Sequence, residues 1–350
     1  MKDRVIVDRN VKQYKGNFHM HTSRSWDSVF PYGEALREYR DKGYDFCVVT
    51  DHEVYWDSTE CDSADFIALS GVESAFILPE ERPYWILDKE YFRSLHINLV
   101  NDETQGRPGF LHDQVLRRPI DYGVSSWNRY IEYCRQKNQL VIVNHPDWSR
   151  LDPEVFLAIE GCFAFEIINT GDINGGGSTD EALWDYALSR GKRILALSGD
   201  DTHKYGPENH ECGGSFTMLS AAEFSRKGLV KAIKEGTFYP STGPRIYDMR
   251  IENEILHMEF DDAVYVRIVG RDFMGKGFLP REGKKINTLD WDINSTKKPL
   301  KYFRVEIIDE RGRKAWSQPV FLNDWDGTGV ALRDDPHTPI PEEQRKLHLQ

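Results

Sequence analysis

The stretch FHMHTSRSWD (18–27) sets two histidines, His19 and His21, one residue apart where an apolar run ends. In an extended chain residues i and i+2 point to the same side, so the two imidazoles face the same way, about 7 Å apart along the strand. That is the reach of one metal ion or one anion. The pair gains weight from the rest of the chain. His52, His96, His112, His145 and His203 also fall at or just after the ends of apolar runs, as do Asp27, Asp51, Glu73, Asp200 and Asp201. Imidazole nitrogen and carboxylate oxygen are the ligand set of zinc, manganese and iron sites. One core histidine needs no such explanation, but a set gathered at strand ends does.

The elements that must position these residues alternate along residues 17–240. Short β-branched or aromatic runs read as strands: NFHM (17–20), DFCVVT (45–50), FIALSG (66–71), SLHINLV (94–100), LVIVNH (140–145), FAFEIIN (163–169), RILALSG (193–199) and GSFTML (214–219). Between several of them lie segments with helical period. YGEALREYRDKG places Ala35, Leu36 and Tyr39 on one face, and SSWNRYIEYCRQKN does the same for Trp127, Tyr130, Ile131 and Cys134. STDEALWDYALSRG offers Ser178 or Thr179 as an N-cap and Gly191 as a C-cap, and AAEFSRKGLVKAIKEG stops at Gly236. Strand-then-helix repetition predicts an α/β domain with a largely parallel sheet, closed into a barrel or open and doubly wound. The open form has no G-x-G-x-x-G after its first strand to recommend it. The C-terminal strand ends of such sheets share one rim, where residues distant in sequence converge.

Beyond STGPRI (241–246) the helical period gives way to apolar–polar alternation broken by turns such as DERG. This predicts a small β-sandwich-like domain over 246–325, after a first domain over 1–245, and a loosely ordered charged tail over 326–350. The net charge of −12 argues against a broad nucleic-acid-binding surface. No apolar run is long enough to span a membrane, and the charged N-terminus has no leader-like apolar core. Five cysteines without a CxxC spacing read as free thiols, so the expected location is the cytoplasm.

FHMHTSRSWD, VVTDHE (48–53), SGVES (70–74), VNHPD (143–147) and SGDDTH (198–203) stand in the order of the H-x-H, T-D-H, G-x-E, H-P and D-x-H motifs of the polymerase and histidinol phosphatase (PHP) superfamily, which residues 15–245 resemble. The chain is most similar to the stand-alone PHP-type metal-dependent phosphoesterases with a small C-terminal β domain, through GTFYPSTGPRI (236–246) and RGRKAWSQP (311–319). The resemblance implies a distorted (β/α)7, TIM-like barrel with two or three divalent ions (zinc, manganese or iron). By motif, His19, His21, Glu73 and Asp201 would hold one ion. Glu73, His96 and His145 would hold a second, with Glu73 bridging, and Asp27, His52 and His203 a third. His112 competes with His96, and Asp200 and Asp51 are expected behind the ligands.

The implied activity is hydrolysis of a small phosphomonoester, a metabolite or nucleotide, by metal-activated water. Glu73, Asp201 and His203 are the expected catalytic groups, with His203 or a metal-bound water giving the leaving group its proton. Arg24, Arg150, Lys204 and Arg245 lie near motif loops and are the candidate phosphate contacts. Trp26, Trp56 and Trp148 either line a pocket or pack. Ser241 lacks a nucleophile's context and reads as a loop former. Three divalent ions, three ligand carboxylates and one hydroxide leave a site charge of about +2, which suits a phosphomonoester dianion. An amide, carbamate or ester hydrolase, an exonuclease and a non-catalytic metal-stabilised module are the competing readings.

Overall fold

Runs of β-branched and aromatic residues at 46–49, 67–76 and 94–101 are buried at almost every position, as strands covered on both faces must be. In the computed structural model, which describes residues 3–78, 92–106, 108–271, 274–281 and 283–322, they lie in the middle of one long sheet. Its strand order is Leu195–Gly199, Ala164–Asn169, Gln139–Val143, Ser94–Asn101, Ile67–Ile77, Phe46–Val49, Gln13–Asn17, Phe216–Ser220 and Phe238–Ser241. The sheet is mixed, which corrects the largely parallel expectation: Ser94–Asn101 and Phe216–Ser220 each run antiparallel to both neighbours. Ile67–Ile77 and Ser94–Asn101 are successive strands that pair directly, which calls for no helical crossover.

The strand leading into the histidine pair is Gln13–Asn17 rather than 17–20, so the pair lies past its end. There the chain bends at Phe18, and Met20 then bridges Thr202 in parallel. His21 N donates to Thr202 O at 3.0 Å and Asp201 N to His19 O at 2.9 Å. The segments that follow Gln13–Asn17 and Leu195–Gly199, six places apart in the strand order, are thereby laid side by side.

Helices Tyr32–Asp41, Val124–Gln136, Glu181–Ser189 and Arg226–Glu235 bury the faces their periodicity marks. Ser225 caps the last, accepting from Gly228 N, and Gly236 ends it at φ 71°, a left-handed conformation that glycine adopts without steric cost. The helix Glu181–Ser189 starts after Asp180, later than either predicted cap.

Residues 246–322 form strands around their own apolar cluster, which includes Met249, Leu256, Val266 and Val305. Arg4–Val7 pairs with Ile246–Glu252, so the first strand of the chain completes a sheet built by the last third. The long sheet also continues across the boundary, where Ser241 pairs with Ala315. Side chains reinforce the junction. Arg304 donates to both carboxylate oxygens of Asp185 at 2.7 Å, Lys314 meets Glu181 at 2.6 Å, and the Gln318 amide bonds both the N–H and the C=O of Ala196. The tail expected over 326–350 lies outside the described residues. All five cysteines are free, and no described helix is long and apolar enough to cross a membrane.

Candidate metal centre

The segment after Gln13–Asn17 is fixed by backbone and side-chain bonds before any ligand chemistry begins. Asn17 donates from Nδ2 to His19 O and accepts Asp200 N, and Thr50 Oγ1 takes Met20 N. His19 and His21 are both fully buried. His19 Nδ1 donates to Glu166 Oε1 at 2.8 Å, and His21 Nδ1 lies 2.8 Å from Ser25 Oγ. With their Nδ1 atoms engaged, the two Nε2 atoms face each other at 3.2 Å. Neutral imidazoles held this way turn lone pairs toward one another, an arrangement that a cation relieves.

Glu73, on Ile67–Ile77, is 1% exposed. Its Oε2 lies 3.3 Å from His19 Nε2 and 3.2 Å from both His21 Nε2 and His52 Nδ1. Its Oε1 lies 3.1 Å from His96 Nδ1 and 3.5 Å from His145 Nε2, and accepts Asn144 Nδ2 at 2.7 Å. Asp201 Oδ1 is 3.2 Å and 3.1 Å from His19 and His21 Nε2. Asp27 Oδ2 is 3.2 Å from both His52 Nε2 and His203 Nε2. Three donor groups result: His19, His21, Glu73 and Asp201; Glu73, His96 and His145; and Asp27, His52 and His203 with His21 also in reach. All nine expected residues are brought together. His112 is not; it is half-exposed beside Asp113.

The donors fit a divalent cation by their hydrogen bonding as well as by type. His52 Nδ1, His96 Nε2 and Asp201 Oδ1 are buried without a hydrogen-bond partner; for Asp201 Oδ1, which faces His19 and His21 Nε2, coordination would remove that cost. His145 and Asp201 take positive φ, 24° and 54°, a strained backbone for side chains with a Cβ and one that recurs at functional sites.

The electrostatics follow from packing acids and imidazoles in one buried volume. Burial alone lowers the His19 pKa, yet the carboxylates of Asp201, Glu166 and Glu73 hold it well above the usual histidine value. Burial opposes ionisation of Glu73 and Asp201, but the surrounding histidines keep both well below the ordinary carboxylate range. His203 is pushed up to about 9, with Asp27 and Asp201 overcoming burial. At His96 burial prevails over Glu73, and the value falls to about 4.

The other expected residues divide. Lys204 lines the cavity above the centre, and among the described residues its ammonium forms no ion pair. Arg24 pairs with Asp113 and lies over the Trp56 ring, Arg150 pairs with Asp147, and Arg245 is exposed beside Tyr247, so none of these three reaches the cavity wall. Trp56 is 1% exposed and packs on Tyr32, whereas Trp26 and Trp148 line the cavity. Asp51 grips Thr22 through N and Oγ1 rather than a histidine, and Asp200 accepts Thr170 Oγ1, Gly213 N and Ser215 N. Ser241 bonds Pro244 O within its loop.

Sequence reasoning missed Glu166, which is fully buried, holds His19 and accepts His145 N at 2.9 Å and Asn169 Nδ2 at 2.8 Å. The signal was present: an acid in the apolar run FAFEIIN needs a buried partner. Asn144, Arg118 and Glu53 were missed as well. The last two pair at 2.6 Å on the cavity wall.

No protein-family model matches the chain, and no curated protein does. Among solved structures it is similar to a two-domain protein from Bacteroides vulgatus containing a predicted PHP-like metal-dependent phosphoesterase. The identity is 14%, over 88% of this chain and 94% of that one, with a TM-score of 0.43. It is also similar to endonuclease Q in complex with a duplex bearing an abasic lesion, at 13% identity over 64% and 57% of the two chains and a TM-score of 0.39. A third similarity is to an amidohydrolase from Chromobacterium violaceum with bound sulfate, at 12% identity over 54% and 87% and a TM-score of 0.33.

Proposed function

We propose that the chain is a metal-dependent phosphoesterase acting on small phosphomonoesters, with two or three divalent ions held by His19, His21, Asp27, His52, Glu73, His96, His145, Asp201 and His203. The observation that carries this reading is Glu73, a buried carboxylate each of whose oxygens faces its own group of imidazoles, as a bridging ligand would. Ions bound there would activate a water at neutral pH and draw charge from the phosphate oxygens. The chain's residues do the rest. Glu166 and Ser25 engage Nδ1 of His19 and His21 and so aim both Nε2 atoms inward. Among the described residues Lys204 lines the cavity without an ion pair and would meet a phosphate oxygen. With only two ions bound, His203 keeps a proton for the leaving oxygen. Three divalent ions set against three ligand carboxylates and a hydroxide leave the site at about +2, which favours a dianion over a monoanion or a neutral ester.

We read the strands from Gln13–Asn17 to Leu195–Gly199 as a distorted (β/α)7 barrel; the Met20–Thr202 bridge supports closure. Residues 1–245 would carry the chemistry, with Arg4–Val7 lent to the β domain.

The test is hydrolysis of matched mono- and diesters by chelator-treated protein reloaded with zinc, manganese or iron. Metal-dependent monoester turnover with a higher kcat/KM than the diester is expected. Equal or better diester turnover at confirmed occupancy, or turnover of carbamates alone, would contradict the reading.

A further inference from the structure

The tryptophans among the described residues divide sharply by environment. Trp56, Trp127, Trp184, Trp291 and Trp316 are at most 3% exposed, as large apolar side chains in a folded domain should be. Trp26 is 81% exposed and Trp148 45%, and both line the cavity above the donor cluster. Each leans on candidate ligand rings. The Trp26 indole stacks on His52 with centroids 5.5 Å apart and planes 22° apart. Trp148 lies 5.1 Å from His96 and 5.0 Å from His145. Ile77, 56% exposed, adds apolar surface to the same wall. The cavity measures about 640 Å³, the size of a small-molecule site and far more than a phosphate group fills. Among the described residues, indoles are left this open to water only here, one ring's contact from the donors, as surface awaiting a planar partner.

The geometry points to selection of phosphomonoesters whose leaving group carries a planar aromatic ring, seated against Trp26 and Trp148. This rests on the phosphoesterase reading and adds the chemistry of the leaving group to it. Stacking on an aromatic side chain adds to the binding of a planar ring, so removing either indole should weaken binding of such a ligand by roughly tenfold.

Three non-hydrolysable probes of like charge test it by calorimetry on the metal-loaded full chain: phenylphosphonate, cyclohexylphosphonate and ethylphosphonate. Phenylphosphonate should bind about tenfold tighter than ethylphosphonate and tighter than its non-planar ring counterpart. It should also quench tryptophan fluorescence. In Trp26→Ala and Trp148→Ala the phenyl-to-ethyl preference should collapse toward one, and Trp26→Phe should restore part of it. Metal content is measured on each variant. Metal-dependent binding without preference, or equal binding of the phenyl and cyclohexyl probes, overturns the aromatic selection and leaves the phosphoesterase reading standing. Failure of all three probes to bind the loaded protein overturns both.

Discussion

Replacing Glu166 with glutamine alters one charge and almost no volume, at a residue that touches two candidate ligands without being one. Its oxygens accept three donors: His19 Nδ1 at 2.8 Å, His145 N at 2.9 Å and Asn169 Nδ2 at 2.8 Å. A glutamine has one oxygen to offer, so its NH2 must face at least one donor. A hydrogen bond to a charged group is worth about 1.5–3 kcal/mol. If the loss falls on His19, the ring can turn its proton to Nε2, toward the position a metal would take. Both effects weaken metal binding, by about 10- to 100-fold if the whole bond is lost. Glu166 is also one of the carboxylates that keep His19 protonated. Its neutralisation eases proton release and offsets part of the loss, so about tenfold is expected near pH 7. The assay is competition with a chromophoric chelator, with circular dichroism and Tm confirming the fold. A folded Glu166→Gln protein whose metal affinity stays within about threefold of the parent would refute this account of how His19 is held.

Other perturbations read other parts of the molecule. Arg304, 1% exposed, pairs with Asp185 and Glu306 where strand Tyr302–Ile308 meets helix Glu181–Ser189; Arg304→Met should cost about 1.5–3 kcal/mol because the buried Glu306 keeps only Arg267 as a cationic partner, seen as a clear fall in Tm, and an unchanged Tm would refute the role. Burial, then the charges of Asp147 and Asp172, pushes the Asp180 pKa up to about 8. The folded state thus binds that proton more tightly than the unfolded chain, and stability is lost as pH rises from about 4 to about 8. Asp180→Asn should accordingly gain on the parent by ~1 kcal/mol or more at pH 8.5 and by little at pH 4; a pH-independent difference in Tm would contradict this. Chelation should lower Tm, and readdition of metal should restore it in a concentration-dependent way, whereas a Tm indifferent to both would mean that no ion is held in the folded state.

The donor cluster was legible because its members are short-range signals tied to strand ends. His-x-His, T-D-H, G-x-E, H-P and D-x-H each place a candidate ligand where an apolar run stops, and the seven residues read this way converge with Asp27 and His96. His96 could not be told from His112 by spacing; strand pairing brings His96, and not His112, to Glu73, because Ser94–Asn101 lies directly against the strand bearing Glu73. The supporting acid Glu166 was hidden inside a strand that otherwise reads as plain core. Proximity in sequence misled for Arg24, Arg150 and Arg245, since long flexible cations near a motif find the nearest carboxylate or ring instead of the cavity. The pairing of Arg4–Val7 with Ile246–Glu252 joins segments over 240 residues apart, and no local pattern encodes it. The mixed sheet was missed for a related reason: residue pattern reports burial, whereas strand direction depends on how each connection returns.

The most direct measurement is an anomalous-scattering map from crystals grown with manganese or zinc. The account predicts at least two strong peaks, one on each side of the Glu73 carboxylate, the first among His19, His21 and Asp201 and the second beside His96 and His145. A third is expected among Asp27, His52 and His203. A fully loaded crystal with no peak within coordination distance of Glu73 would contradict it.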